Sequence, residues 1–504
     1  MSFTNPGILL PIERIPVAGV EGEYVKMFDP PTASPSPTPE LVNVTTLPIF
    51  PFSYDPVARS INPNPRANPV PEVMQALLLG SPKTPHTRSF DLLNTTVIPT
   101  WDGVKTLVFF TIRDVDFGAG GIYPGPTIRV PRGAVYHADL VGKGPPPHTI
   151  HWHGIEPTPI NDGVGHCSME IGKYLYQWQP NFIGSYFYHC HRNTMQHFEF
   201  GLFGFLVIEP PDAYFSSIAS VAANGRVTLN TIPVGASLDP ADPKGWNYRV
   251  AANILTLPAA IQAKFPGFVP GDPTYGVAGP GDVGVNDPHA FTVPYDVEVL
   301  WVADDRDSSW SDLAPNAKQT FPVHGAIPGV NDNFASNVLA ALPDPQVTFF
   351  AFNDFHADYW FITGVPVPAH LGGTGQIPPN LTIPAAANSG KSGTQVSVSA
   401  TVGQTILLRS LDAAYNNLRV TLPVDAVIIA WDGRALGVPP FGRYNHPFVV
   451  PKNTPMTYSV ARRFDALIKA EAPTPPNTFA KVEFLETRGN AVTVTALIPF
   501  TINP

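Results

Sequence analysis

Six of the fourteen histidines fall in two short stretches, and one of the two cysteines lies among them. PPPHTIHWHG carries His148, His151 and His153; YFYHCHRNTMQH carries His189, Cys190, His191 and His197. Side chains on a β-strand alternate between faces. His151 and His153 therefore share a face and Trp152 takes the other, while His189 and His191 share a face and Cys190 points the opposite way. That parity predicts two sites. His148, odd-spaced from His151, points with Cys190 into the barrel interior, and the two His-x-His pairs face outward together, towards another domain. Two imidazoles and a thiolate in an apolar pocket are the donor set of a blue-copper site. Clustered neutral imidazoles suit further copper, since histidine is the commonest metal ligand near neutral pH. Zinc more often takes four closed ligands, frequently through a Cys-x2-Cys hook that is missing here. Copper is the expected cofactor.

The scaffold that must hold these side chains reads as all-β. Hydrophobic residues make up 44% of the 504 residues and charged ones 14%, which suits a large buried core. The 60 prolines and 41 glycines follow no collagen-like period and punctuate short apolar runs, as turns and strand edges do. Residues 1–85, with DPPTASPSPTPE and SINPNPRANPVPE, read as a proline-rich extended arm that wraps a domain or a neighbouring subunit. Residues 86–212 run strand after strand, with turn residues spaced as in a Greek-key sandwich or barrel. Residues 213–290 read as a connection with an irregular insertion. The strand rhythm resumes over 291–504, which reads as a second, weakly similar copy of the same architecture. The acidic run ADDRDSSWSD (303–312) lacks calcium-loop spacing and reads as a solvated loop.

A formal charge of −10 argues against nucleic acid as a partner. No apolar run approaches the roughly 20 residues of a membrane span. The start, MSFTNPGILLPIERIPVAG, shows no basic end, apolar core or cleavage site of a signal peptide. Two cysteines exclude a disulfide scaffold.

YPGPTIRVPRGAVYHADLV, HTIHWHG, NDGVGHCSMEIG and GSYFYHCHRNTMQHFEFGLFGFLVIEP resemble the multicopper oxidase, or laccase, family over about 120–210. FNDFHADYWFITGVPVP and ARRFDALIKA, further on, are similar to a middle domain of such enzymes that carries no copper. The resemblance implies two cupredoxin-like Greek-key β-sandwich or barrel domains behind the arm. It implies that His148, Cys190 and His197 bind type 1 copper, that His151 is a type 2 ligand, and that His153, His189 and His191 are type 3 ligands. Asp162, in NDG, matches an acid that supplies protons during oxygen reduction; the plain alternative is an Asp-Gly turn. The family's usual spacing after HCH lands on Met195, but the His-plus-glycine ending HFEFGL favours His197 as the ligand. Leu202 stands where a blue-copper site often carries methionine, and leucine cannot coordinate.

After residue 212 the histidines are isolated: His289, His324, His356, His370 and His446. No second HCH follows, whereas a complete trinuclear cluster in this family takes eight histidines from two domains. The first expectation is an oxidase that takes electrons from a small-molecule or metal-ion reductant and passes them to oxygen. Two other readings stand beside it: a copper enzyme resembling nitrite reductases, and an electron-transfer or structural assembly protein with part of the copper set. Similar two-domain proteins imply a homo-oligomer, commonly a trimer, with His324 and His356 the favoured donors from a neighbour. The resemblance also favours a periplasmic or extracellular setting.

Overall fold

A computed structural model describes residues 86–118, 120–131, 136–142, 148–155, 161–164, 173–178, 180, 182–191 and 194–210 of the first β region. It also describes 248–268, 291–313, 355–438 and 446–504, together with four short strands at 52–55, 60–63, 218–221 and 227–229. Apart from the first two of those strands, which pair as a hairpin, the proline-rich arm lies outside the described residues.

The first β region is two four-stranded sheets. One runs in the order Thr106–Asp114, His86–Pro99, Tyr136–Gly142, Lys173–Trp178; the other runs Gly125–Pro131, Phe203–Glu209, Gly184–His189, His151–His153. Each contains one parallel pair among antiparallel ones, the mixed pairing of a Greek-key sandwich whose connections cross between sheets. The histidine-bearing strands lie side by side at the edge of the second sheet. His151 is directly opposite His189, Trp152 opposite Tyr188, and His153 opposite Phe187.

This second sheet is covered on both faces. Tyr186, Tyr188, Cys190, Leu206 and Ile208 point into the core of the copper-motif domain, with Trp152. Their alternates, Phe187, Phe203, Phe205 and Val207, point the other way and join the core of the second domain. Strand parity thus assigns one face to each domain, and every buried Val, Leu, Ile or Phe adds about 1.5–3 kcal/mol to the junction. The His-x-His face is therefore the face on which the second domain docks. The expected outward-facing patch is turned towards the chain's own second domain.

That domain has a large sheet containing Val297–Arg306, Thr405–Asp412, Arg463–Lys469 and Ala426–Trp431, and a smaller one containing Val492–Asn503, Phe479–Leu485 and Asn417–Thr421. Val297–Arg306 and Thr405–Asp412 are buried at every position, as interior strands covered on both faces must be. Val250, Ile254, Leu257 and Phe265, within the stretch read as a connection, pack on Leu407, Val427 and Leu467 of this sheet.

A buried charge network locks the two domains together. Glu298 accepts from Arg129 Nη2 at 2.6 Å and from Arg409 Nε at 2.8 Å. Arg409 Nη1 reaches Asp465 at 3.1 Å and Ser185 Oγ at 3.0 Å, and Ser185 donates to Asp465. Ser185 lies on the strand that leads to His189. Buried charges persist only when paired in this way.

The reading of ADDRDSSWSD as a solvated loop is corrected. Asp304, Asp305, Arg306 and Asp307 are all buried, at the end of the Val297–Arg306 strand and the start of the helix Ser308–Leu313. Their partners explain it. Tyr123 donates to Asp304, Asp305 accepts the amides of Tyr415 and Asn416 at 2.7 and 3.0 Å, and Arg306 reaches Glu199 of the first domain.

Candidate metal centre

The donors converge as two groups. In the first, donor atoms of His148, Cys190 and His197 all lie within 4.8 Å of one another and all three side chains are buried. Cys190 Sγ stands 3.1 Å from His197 Nδ1 and 4.0 Å from His148 Nδ1. His197 comes from the short helix Thr194–Glu199, which follows the copper strand and returns its chain through Gly201. Gly201 has φ +104, which favours glycine. Cys190 N donates to Leu202 O and Leu202 N to His197 O, each at 2.9 Å, so the ligand loop closes on itself. Burial holds the His148 imidazole down to about 4, so it is neutral and has a lone pair to offer.

The second group is His151, His153 and His189, also within 4.8 Å. His151 Nδ1 donates to the carbonyl of Asp162 at 2.7 Å, which leaves Nε2 free to accept a metal. Likewise His189 Nδ1 donates to Cys190 O at 3.0 Å, and its Nε2 stands 3.3 Å from His153 Nδ1. Burial first, then the charge of Arg463, then His151 and His191 together lower His153 to about 3. His189 is pushed well below its ordinary value, first by burial and then by His151. Nitrogen atoms so close, two of them on rings that resist protonation, are ready to share a cation.

Of the residues singled out from sequence, His148, Cys190 and His197 come together, as do His151, His153 and His189. His191 is adjacent but outside the tight trio, with ring centroids 5.2 Å from His151 and 5.6 Å from His189. The Asp162 carboxylate also lies 3.1 Å from His151 Nδ1. Gly163, at φ +71, packs so closely on this strand that a Cβ would meet Ile150 O at 1.7 Å. The Asp-Gly turn and the contact with His151 are thus one feature. Leu202 is buried in the same core cluster as Cys190. Met195 lies in the helix, with its side chain outside the described residues. His166, Cys167, His289 and His324 are outside the described residues altogether, and His356, His370 and His446 are exposed.

Sequence reasoning passed over Arg463. ARRFDALIKA was read there only for its likeness to a copper-free middle domain, yet alternation puts Arg463 and Asp465 on one face, and two charges on a buried strand face signal a polar junction.

The donor chemistry fits copper: a cysteine sulfur with two imidazoles in one buried pocket, and three imidazoles in the other. Residues 115–213 match the family model described as multicopper oxidase. L-ascorbate oxidase of Cucumis sativus is 34% identical over 111 residues, 20% of this chain and 18% of that protein. Laccase-5 of Trametes versicolor is 33% identical over 143 residues, 25% of this chain and 26% of that protein. The matches therefore span 18% and 26% of these relatives' own lengths. Among solved structures, a blue copper oxidase from Nitrosomonas europaea aligns with TM-score 0.43 and 17% identity, over 83% of this chain and 86% of that one.

Proposed function

We propose that this chain, whose 115–213 segment belongs to the multicopper oxidase family, is a copper-dependent oxidoreductase that takes electrons from a reducing substrate and delivers them to oxygen. Copper bound at the two groups would supply one-electron redox chemistry, accepting electrons at the first and reducing dioxygen at the second. The single observation that carries the reading is the sequence adjacency of the groups. Cys190 belongs to one, its neighbour His189 belongs to the other, and His189 Nδ1 donates back to Cys190 O at 3.0 Å. A thiolate site and an imidazole site joined by one peptide form a short covalent path for electrons.

The protein's own groups then have distinct tasks. His148, Cys190 and His197 exclude water and present a soft donor set. Asp162 fixes the His151 tautomer through its carbonyl, and its carboxylate, beside the same ring, is placed to hand a proton to an oxygen species at the imidazole group. No histidine of the second domain joins that group among the described residues. Further donors would therefore come from elsewhere, most simply a second copy in a homo-oligomer such as a trimer.

The test is copper per chain, EPR of the copper types, mass in solution, and oxygen uptake with a one-electron reductant. Two or more coppers with oxygen uptake support the oxidase. One copper and no uptake favour the second reading, an electron-transfer protein, which the incomplete histidine set among the described residues also suits.

A further inference from the structure

The second domain places a cation against the imidazole group. Arg463 begins the strand Arg463–Lys469 and its side chain is 3% exposed. Its Cζ lies 5.3 Å from the ring of Phe187, the ring on which His153 stacks at 4.2 Å. Gly154, the residue after His153, has φ +89, and a Cβ there would meet Arg463 Nη2 at 2.9 Å. Two features of the chain, a left-handed glycine and a buried arginine from another domain, together bring a guanidinium beside His153.

The other bonds of this guanidinium leave one edge open. Nε donates to Ser185 O at 3.3 Å and Nη1 to Ala461 O at 2.7 Å, while Nη1 stands 3.9 Å from Asp432. Among the described residues no acceptor is recorded for Nη2. An arginine fork with a free edge, at the low dielectric of a domain junction, is a strong anion partner. An imidazole brings no negative charge, so the histidines beside it cannot satisfy that edge. The same guanidinium opposes a proton on His153.

We propose that Arg463 and the metal held by His151, His153 and His189 together form a binding site for a small inorganic monoanion. A bound anion would accept a hydrogen bond from Arg463 Nη2, and the charge of a metal held by the imidazoles would add to its attraction. This rests on the reading that the imidazole group holds copper. The site gives the second domain a role in the chemistry although none of its described residues joins the imidazole group: its guanidinium favours negatively charged oxygen species there.

Azide is the probe. Copper-loaded wild type, Arg463→Met and Arg463→Lys are titrated with azide, followed by the azide-to-copper charge-transfer band and EPR. Copper content and the Cys190 band serve as checks on folding. Azide affinity should fall about tenfold or more in Arg463→Met, with the lysine variant in between, because loss of a buried charge partner costs that much or more. Equal affinity in all three proteins, with copper retained, overturns the anion site alone. If wild type holds no metal at His151, His153 and His189, the copper reading fails and the anion site fails with it.

Discussion

Arg306 Nε lies 3.2 Å from Glu199 Oε1, and neither side chain has any exposed surface. Glu199 ends the helix that carries His197, and Arg306 ends a second-domain strand, so the pair fixes the ligand helix to the other domain. Arg306 also donates to Val108 O at 2.5 Å and packs over the Phe109 ring at 4.5 Å. Burial pushes the Glu199 carboxyl well up, and Arg306 draws it back down. Arg306→Met should destabilise the protein by about 3–5 kcal/mol, since it strands buried acids without their cation. Glu199→Gln, which keeps an acceptor, should cost less. Urea denaturation of both single variants and the double variant checks this; additive effects would show that the two residues act independently.

Cys190→Ser removes the thiolate from the first group and leaves its shape. The copper-loaded protein should lose its intense visible band and its electron uptake from reductant, with unfolding little changed because the residue is small and buried. Copper at the imidazole group should remain, as its three donors do not include Cys190. Absorption and EPR of the loaded variant decide the matter; a surviving visible band would reassign the thiolate.

The copper motif was legible because its chemistry is local. Cys190, His189 and His191 are consecutive, and period-two alternation sorted them onto two faces as the structure does. The all-β architecture was legible for the same reason. Long-range partnerships were not. Asp304 to Asp307 look like solvent-loving residues in any window. They are buried only because Glu199, Tyr123 and the Tyr415 and Asn416 amides meet them from segments far away in sequence. Arg463 was missed on the same ground, since its significance lies in Gly154 and Phe187. Alternation gave His151 and His153 a shared face turned towards another domain, but which residues meet that face is set by docking, to which alternation is blind.

Gly163 is the more sensitive half of the Asp-Gly turn. Gly163→Ala places a methyl against Ile150 O, at a φ that side chains rarely adopt. The turn must shift, and the carbonyl of Asp162 leaves His151 Nδ1. Copper at the imidazole group should weaken by 10–100-fold, as for loss of an outer partner of a metal-bound histidine, while the Cys190 band stays. Asp162→Asn keeps the backbone carbonyl, so copper should remain while oxygen turnover slows. Metal titration and oxygen uptake separate the two; equal copper loss in both variants would contradict the carbonyl as the orienting group.

Leu202 abuts the first group through backbone bonds to both Cys190 and His197. Without a thioether donor the reduced state is relatively favoured. Leu202→Met should lower the reduction potential, read by a redox titration of the visible band. An unchanged potential would mean that the side chain is not directed at the metal.

The last expectation concerns acid. Burial holds His148 at about 4 in the folded protein, against 6.5 for an ordinary imidazole. The folded pKa is depressed, so between these values the unfolded chain binds the proton and the native one does not. Stability of the metal-free protein is therefore complete above about pH 6.5 and is lost as pH falls towards 4, by on the order of 3 kcal/mol from this residue alone. His153, at about 3, extends the loss to lower pH. Bound copper competes with those same protons and should move the acid transition downward. Urea midpoints of metal-free wild type and His148→Asn between pH 7 and pH 4 test the assignment. The slope should flatten in the variant, and an identical slope would place the pH sensitivity in other groups.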